Sequence, residues 1–200
     1  AMAIWKHILE HDNGVTNFHF EIAADLLDEE ELELISRMRP GLIQLEIGVQ
    51  STNTETIRAI RRKMDLKRLR YVVERINAGK NVHQHLDLIA GLPFEDYESF
   101  GRSFNEVYSM EPEQFQLGFL KVLKGSHMKE MVEEYQIVYK EQEPYEVLGT
   151  KWLPYEDILR LKMVESMVEV YYNSGQFQNT IACIEPLFED AFTLYEKLGQ

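Results

Sequence analysis

Cysteine is almost missing from this chain: Cys183 is the only one among 200 residues. There is therefore no internal disulfide and no thiolate cluster site carried by the chain itself. Basic residues are the next shortage. Lys and Arg number 21 against 34 Asp and Glu, a formal charge of -13, which opposes nonspecific nucleic-acid binding because that binding rests on neutralising phosphates. One local exception, the run Arg58, Arg61, Arg62, Lys63, Lys67, Arg68 and Arg70, falls on two consecutive helical segments and reads as a solvated helix face. Long apolar runs are also lacking. None approaches the ~18 residues that a membrane span requires, and the amino terminus has no leader of signal type. The expectation is a soluble cytoplasmic protein that meets neither nucleic acid nor membrane.

What is present is a hydrophobic content of 44%, ample for a core, arranged in a repeated pattern. Side chains alternate faces along a strand. In the stretch from Asn81 to Pro93, His83, His85 and Asp87 point one way, while Val82, Leu86 and Leu88 point the other. From Leu42 to Ser51, the apolar Ile43, Leu45, Ile47 and Val49 oppose Gln44, Glu46, Gly48 and Gln50. Residues 17–22 set Phe18, Phe20 and Ile22 against Asn17, His19 and Glu21, and residues 114–119 set Phe115, Leu117 and Phe119 against Gln114, Gln116 and Gly118. Four strands share one design.

Between them lie helical periodicities. A helix over 2–11 stops at Asn13-Gly14, and Asp28 to Glu31 opens a second helix that ends at Pro40-Gly41. Asn53 or Thr54, and then Asp65, cap the next two. A helix from Tyr97 to Tyr108 carries Phe100, Phe104 and Val107 inward, and another spans Ser126 to Tyr139. Strands alternating with helices imply parallel pairing through right-handed crossovers, so the fold class is α/β, an incomplete barrel of about four parallel strands. Its polar faces then line an interior, and ligands collect at the carboxy-terminal strand ends. Residues 1–143 are read as the partial barrel and 144–200 as a helical appendage.

Gly48-Val49-Gln50-Ser51 at one strand end, followed about forty residues later by Asp87-Leu88-Ile89-Ala90-Gly91-Leu92-Pro93, resembles the radical S-adenosylmethionine (radical SAM) superfamily, in particular its cobalamin-domain and coproporphyrinogen-oxidase-like branches. Gln116 to Lys124 is similar to the last barrel strand and its loop. The likeness covers roughly residues 2–135, and the order and spacing of the motifs make it specific where each alone is weak. It implies a partial TIM-barrel-like fold in an iron–sulfur oxidoreductase, with a [4Fe-4S] cluster held by a C-x3-C-x2-C loop and S-adenosylmethionine as cofactor, and with cobalamin as a further one. That loop is absent here. A shortened chain that begins before the third barrel strand is the favoured reading, a degenerate homologue the other.

The same resemblance implies cofactor contacts at Glu21 (the amino group of S-adenosylmethionine), Glu46, Gln50 and Ser51 (near the ribose) and Asp87. Two residues depart from the pattern: Glu46 stands where many relatives have Ser, and Phe94 where Gly usually follows Pro93. His83 and His85 read as interior polar partners rather than metal ligands, so no metal site is expected. The catalytic residues and the substrate stay unassigned, and the chain taken alone is expected to be inactive. Rival readings are a non-catalytic binding module that kept barrel strands, and a barrel enzyme using Glu21, Glu46 and Asp87 as acid and base. An unpaired edge at Asn17 to Ile22 would favour self-association.

Overall fold

The structure, a computed structural model, describes residues 2–200. Its centre is a four-stranded sheet in the order β1 (Phe18–Ile22), β2 (Ile43–Gln50), β3 (His83–Ala90) and β4 (Gln114–Phe119). Strands β1 and β2 pair in parallel, from Phe18 opposite Ile43 to Ile22 opposite Ile47. Helices occupy each connection: α2 (Glu29–Ser36), then α3 (Thr54–Ala59) and α4 (Leu66–Asn77), then α5 (Tyr97–Tyr108). This gives the expected α/β class, four parallel strands followed by helices at the carboxy-terminal end. The chain divides into two compact units.

The first unit comprises residues up to 48, 64–86 and 110–114. Helix α1 (Met2–Glu10) buries Trp5 and Ile8. Helix α2 starts where the sequence says it should, because Asp28 accepts from the Glu31 N–H at 2.8 Å while the Glu31 carboxylate accepts from the Asp28 N–H at 3.3 Å. The Asp65 carboxylate caps α4 by accepting from the N–H groups of Lys67 and Arg68. Leu69, Val72, Val73 and Ile76 of α4 are buried, as are Ile43, Leu45 and Ile47 of β2. Within the basic run, Arg68 donates to Glu29 at 2.8 Å and to the Leu27 carbonyl, so part of that run ties helix to loop.

The buried face of β3 holds a surprise. Gln84 joins Leu86 there, fully buried, and its amide donates to the Val73 carbonyl and to Asn77. The amide nitrogen is thereby satisfied, as a buried polar group requires, while Gln84 Oε1 is buried with no hydrogen-bond partner among the described residues.

The second unit comprises residues 49–63, 87–109 and 115–200. Phe100, Phe104 and Val107 of α5 face inward as their spacing predicts. Phe104 lies 4.9 Å from Phe115 and 5.4 Å from Phe192, ring centre to ring centre. Helices α7 (Tyr155–Val168), α8 (Gln178–Ile184) and α9 (Ala191–Leu198) follow, and Asn105 Oδ1 on α5 accepts from the Phe192 N–H.

One expected element does not form. In place of a helix over Ser126 to Tyr139 there is only α6 (His127–Glu130), followed by turns and β5 (Val138–Tyr139). The run Ile137-Val138-Tyr139 is β-branched and aromatic and favours a strand, and Gln136 just before it is left-handed, with φ of 49°. Strand β5 pairs antiparallel with β6 (Val147–Gly149). A backbone ladder also joins this region to the continuation of β4: Val147 N–H donates to the Leu120 carbonyl at 2.8 Å and Val122 N–H to the Tyr145 carbonyl at 2.9 Å. Among the described residues no helix is long and apolar enough to cross a membrane.

Candidate functional site

In the first unit the polar face of the strands carries His19 and Glu21 of β1, Gln44 and Glu46 of β2, and His83 and His85 of β3. Glu21 and Glu46 stand in register on neighbouring strands. Glu21 is exposed, whereas Glu46 is half-buried and lies 3.0 Å from His19 Nε2. The His85 ring sits 4.7 Å from that of His83 and 6.0 Å from that of His19. Burial pushes the His85 pKa down, and the His83 and His19 imidazoles push it further, against an opposing pull from Glu46. Its ring is then neutral near pH 7, so Nε2 can accept from the Gln44 amide 2.9 Å away. Among the described residues no three His, Cys, Asp or Glu are placed to hold a metal ion.

In the second unit the two motif-bearing strand ends meet. Gln50 closes β2 in the left-handed region with φ of 67°, and its N–H donates to Asp87 Oδ1 at 3.2 Å. Ser51 points the other way and is fully buried. Its hydroxyl donates to Glu95 Oε1 at 2.7 Å, accepts from the Asn53 N–H at 3.0 Å, and so pins the turn from two sides. Ser103 on α5 donates to the same Glu95 oxygen at 2.9 Å and accepts from the Thr52 N–H at 3.1 Å. Two further bonds close the arrangement: Asn53 Nδ2 donates to the Phe94 carbonyl and Thr56 Oγ1 to the Pro93 carbonyl.

Glu95 is 1% exposed. Burial pushes its carboxyl up to about 7, although the hydroxyls of Ser51 and Ser103 hold it lower than burial alone would. Its second oxygen, Oε2, has no hydrogen-bond partner among the described residues. Sequence reasoning missed this carboxylate. The available signal was Ser99 and Ser103 one turn apart on the buried stripe of α5, beside Phe100 and Phe104: hydroxyls on an apolar face need a polar partner.

The turn after β3 explains the glycine and the departure beside it. A Cβ on Gly91, at φ of 86°, would lie 2.8 Å from Val147 Cγ1, so only glycine fits. Phe94 is also left-handed, with φ of 64°, which is why glycine is the easier residue there. Its ring packs 4.6 Å from Trp152 and 5.8 Å from Tyr135, both supplied by the carboxy-terminal part of the chain.

Of the five residues expected to touch the cofactor, Gln50, Ser51 and Asp87 thus come together at the strand ends, while Glu21 and Glu46 lie on the face of the first unit. A cavity of about 440 Å³ opens elsewhere in the second unit, lined among others by Val138, Leu148, Thr150, Pro154 and Tyr155. None of the five lines it. The strand ends are preferred as the candidate site because they bring polar groups together.

The fold agrees with that of radical SAM enzymes. Over 84% of its length the chain superposes on 36% of coproporphyrinogen III oxidase (HemN) from Escherichia coli, a radical SAM enzyme, with a TM-score of 0.59 and 17% identity. The radical S-adenosylmethionine methyltransferase TsrM from Kitasatospora setae, solved with cobalamin and a [4Fe-4S] cluster, matches 76% of the chain with a TM-score of 0.58 and 11% identity. At the level of sequence the relatives are more particular. The chain is 27% identical over 124 residues to the oxygen-independent coproporphyrinogen III oxidase of Pseudomonas aeruginosa and 29% identical over 121 residues to that of Salmonella typhimurium. These matches take in 62% and 56% of this chain. It spans a quarter of the length of each of these curated relatives. Residues 133–200 match a further family, described as a protein of unknown function (DUF4080).

Proposed function

We propose that this chain forms the later part of the barrel of a radical SAM enzyme, and that in the complete protein its polar strand faces contact S-adenosylmethionine and substrate. The observation that carries this reading is the bond from the Gln50 N–H to Asp87, which joins two motif-bearing strand ends on successive parallel strands. Ligands of α/β folds gather at such ends. The Asp87 carboxylate and the Gln50 amide suit ribose hydroxyls, and the carboxylates of Glu21 and Glu46 suit an ammonium group. Ser51, whose hydroxyl is engaged by Glu95, shapes the turn rather than touching the ligand.

A [4Fe-4S] cluster takes thiolate ligands, and the exposed Cys183 stands alone. The residues present therefore do not fit the cluster, and its ligands would lie in another part of the parent. Cobalamin is the second candidate cofactor, suggested by the likeness to TsrM. This chain's share of the work is to bind and orient the nucleotide and to exclude water from it. On this reading the parent is a cytoplasmic oxidoreductase and the 200 residues alone are inactive.

The test is anaerobic reconstitution of the full-length protein with iron and sulfide. Formation of 5'-deoxyadenosine is expected, with Gln50→Ala and Asp87→Ala each raising KM for S-adenosylmethionine about tenfold or more, as for a lost bond to a charged or buried partner. Absence of both cluster absorbance and 5'-deoxyadenosine rejects the reading. The lone cysteine favours one alternative, a binding module without chemistry, which would take up the nucleotide and never cleave it. Strand β1, at the edge of the sheet with Phe18 36% exposed, is the proposed surface for self-association; sedimentation as a monomer at all concentrations counts against it.

A further inference from the structure

We propose that Glu95 is the positioning residue of the strand-end turn: a proton on its carboxyl group keeps Gln50 to Asn53 in the closed, ligand-ready form, and loss of that proton releases it. The inference is independent of which ligand the turn serves, and only its consequence for a nucleotide rests on the reading above.

Both hydroxyl donors, Ser51 Oγ and Ser103 Oγ, converge on Oε1; as donors they favour the ionised form, so what opposes ionisation is burial, felt at the oxygen they leave unbonded. The other oxygen, Oε2, is buried with no partner among the described residues. A negative charge there would be unsupported in a nearly dry site, while a proton there removes the charge. The charged groups that act on Glu95 are Asp96, next in the chain, whose negative charge also disfavours ionisation, and Arg102 on α5, which favours it.

Each hydroxyl that touches Glu95 also receives a backbone N–H of the turn, Asn53 for Ser51 and Thr52 for Ser103. A carboxylate that drew in water or swung toward Arg102 would take both hydroxyls with it and leave those two N–H groups unbonded. Gln50, strained at φ of 67°, depends on the same turn, since a left-handed non-glycine residue persists only where its surroundings enforce it. With the turn released, the Gln50 N–H loses its alignment with Asp87.

Burial raises the carboxyl into the neutral range, which places the release within reach of ordinary buffers. At lower pH the turn is closed, and above neutrality it opens.

The test is amide hydrogen exchange on the 200-residue chain, corrected for the intrinsic pH dependence of exchange. Protection at Thr52 and Asn53 is expected to be about tenfold greater at pH 6 than at pH 8.5, while amides of the sheet stay unchanged. Glu95→Gln, which offers the same carbonyl and no charge, keeps the turn protected at both values. Glu95→Ala leaves it open at both. Should that variant fail to fold, Ser103→Ala serves: it removes a bond that favours the ionised form, so opening at Asn53 moves to higher pH. Equal protection of the wild type at both pH values, or a Gln variant as open as the Ala variant, overturns the proposal; a purely structural role would give the first of these. In the full-length protein, affinity for S-adenosylhomocysteine is expected to fall above neutrality in the wild type and not in Glu95→Gln. A turn that opens as described in a protein that never binds this probe refutes the nucleotide reading and leaves the role of Glu95 supported.

Discussion

Phe94 offers a sharp test of how the turn after β3 is held, because two effects of similar size oppose each other there. Its φ of 64° costs a side-chain-bearing residue about 1–2 kcal/mol that glycine does not incur. Against this, the ring is 38% exposed, so roughly three-fifths of it is hidden, contributing about 1–2 kcal/mol of the value for a fully buried side chain. Its contact with Trp152 at 4.6 Å adds about 0.5–1.5 kcal/mol, and glycine in its place would bring a further backbone-entropy cost of about 0.5–1 kcal/mol. The packing wins, so Phe94→Gly is expected to destabilise the second unit by about 1–3 kcal/mol despite removing the strain. Phe94→Ala loses the same packing and keeps the strain, and falls below the glycine variant by about 0.5–1 kcal/mol. Urea unfolding followed by tryptophan fluorescence reads both, since Trp152 is the partner. A glycine variant as stable as the wild type would show that the aromatic contacts contribute nothing, and an alanine variant above the glycine one would refute the backbone argument.

Three further outcomes are expected. The Glu95 carboxyl is raised to about 7 in the folded chain from about 4.3 when unfolded, so the folded state binds more protons. Its stabilising contribution is complete below the unfolded value and is lost as pH rises through 7, about 4 kcal/mol in all. Denaturation midpoints taken from pH 5 to 8 should show the decline in the wild type and its loss in Glu95→Gln, where the depressed His85 leaves stability level or rising with pH. Gly101→Ala on α5 gains about 1 kcal/mol of helix propensity, but its Cβ would lie 2.8 Å from Phe192 Cδ1 and overpacking costs about 1–3 kcal/mol. A net loss in thermal melts is expected, reversed on adding Phe192→Leu, and a more stable single variant would contradict the close approach. By NMR titration His85 should ionise below its usual range, and Glu46→Gln should lower it further, because the Glu46 charge is what opposes the descent; an upward move would exclude that pairing.

The strands and α5 were legible because each carries a local code. Alternation in β2 and β3 separates buried from half-buried positions almost residue by residue, and the bounds of α5 follow from Asp96, which accepts from the Ser99 N–H at 2.8 Å, and from its inward Phe100, Phe104 and Val107. The hairpin β5–β6 was not legible, because the strand propensity of Ile137 to Tyr139 becomes decisive only once residues 147–149 supply a partner. The same distinction runs through the site. Gln50, Ser51 and Asp87 announce themselves in short motifs, whereas Glu95 meets Ser51 across 44 residues of chain, and no periodicity records a contact of that kind. Gln84 lies on the inward face, in step with Val82 and Leu86, as the alternation places it, but the carbonyl of Val73 and the side chain of Asn77 that receive its amide leave no trace in the local pattern.

The backbone ladder between 145–147 and 120–122 bears on anyone wishing to recombine this chain with a relative. The segment after β5 is stitched edgewise to the prolongation of β4, and Val147 leans on the bare α-carbon of Gly91. A donor sequence grafted downstream of residue 125 would have to reproduce those stitches and tolerate a neighbour without a side chain. Hybrids that carry residues 90–150 across as one block should fold where those joined between Gly125 and Val147 unravel at the splice.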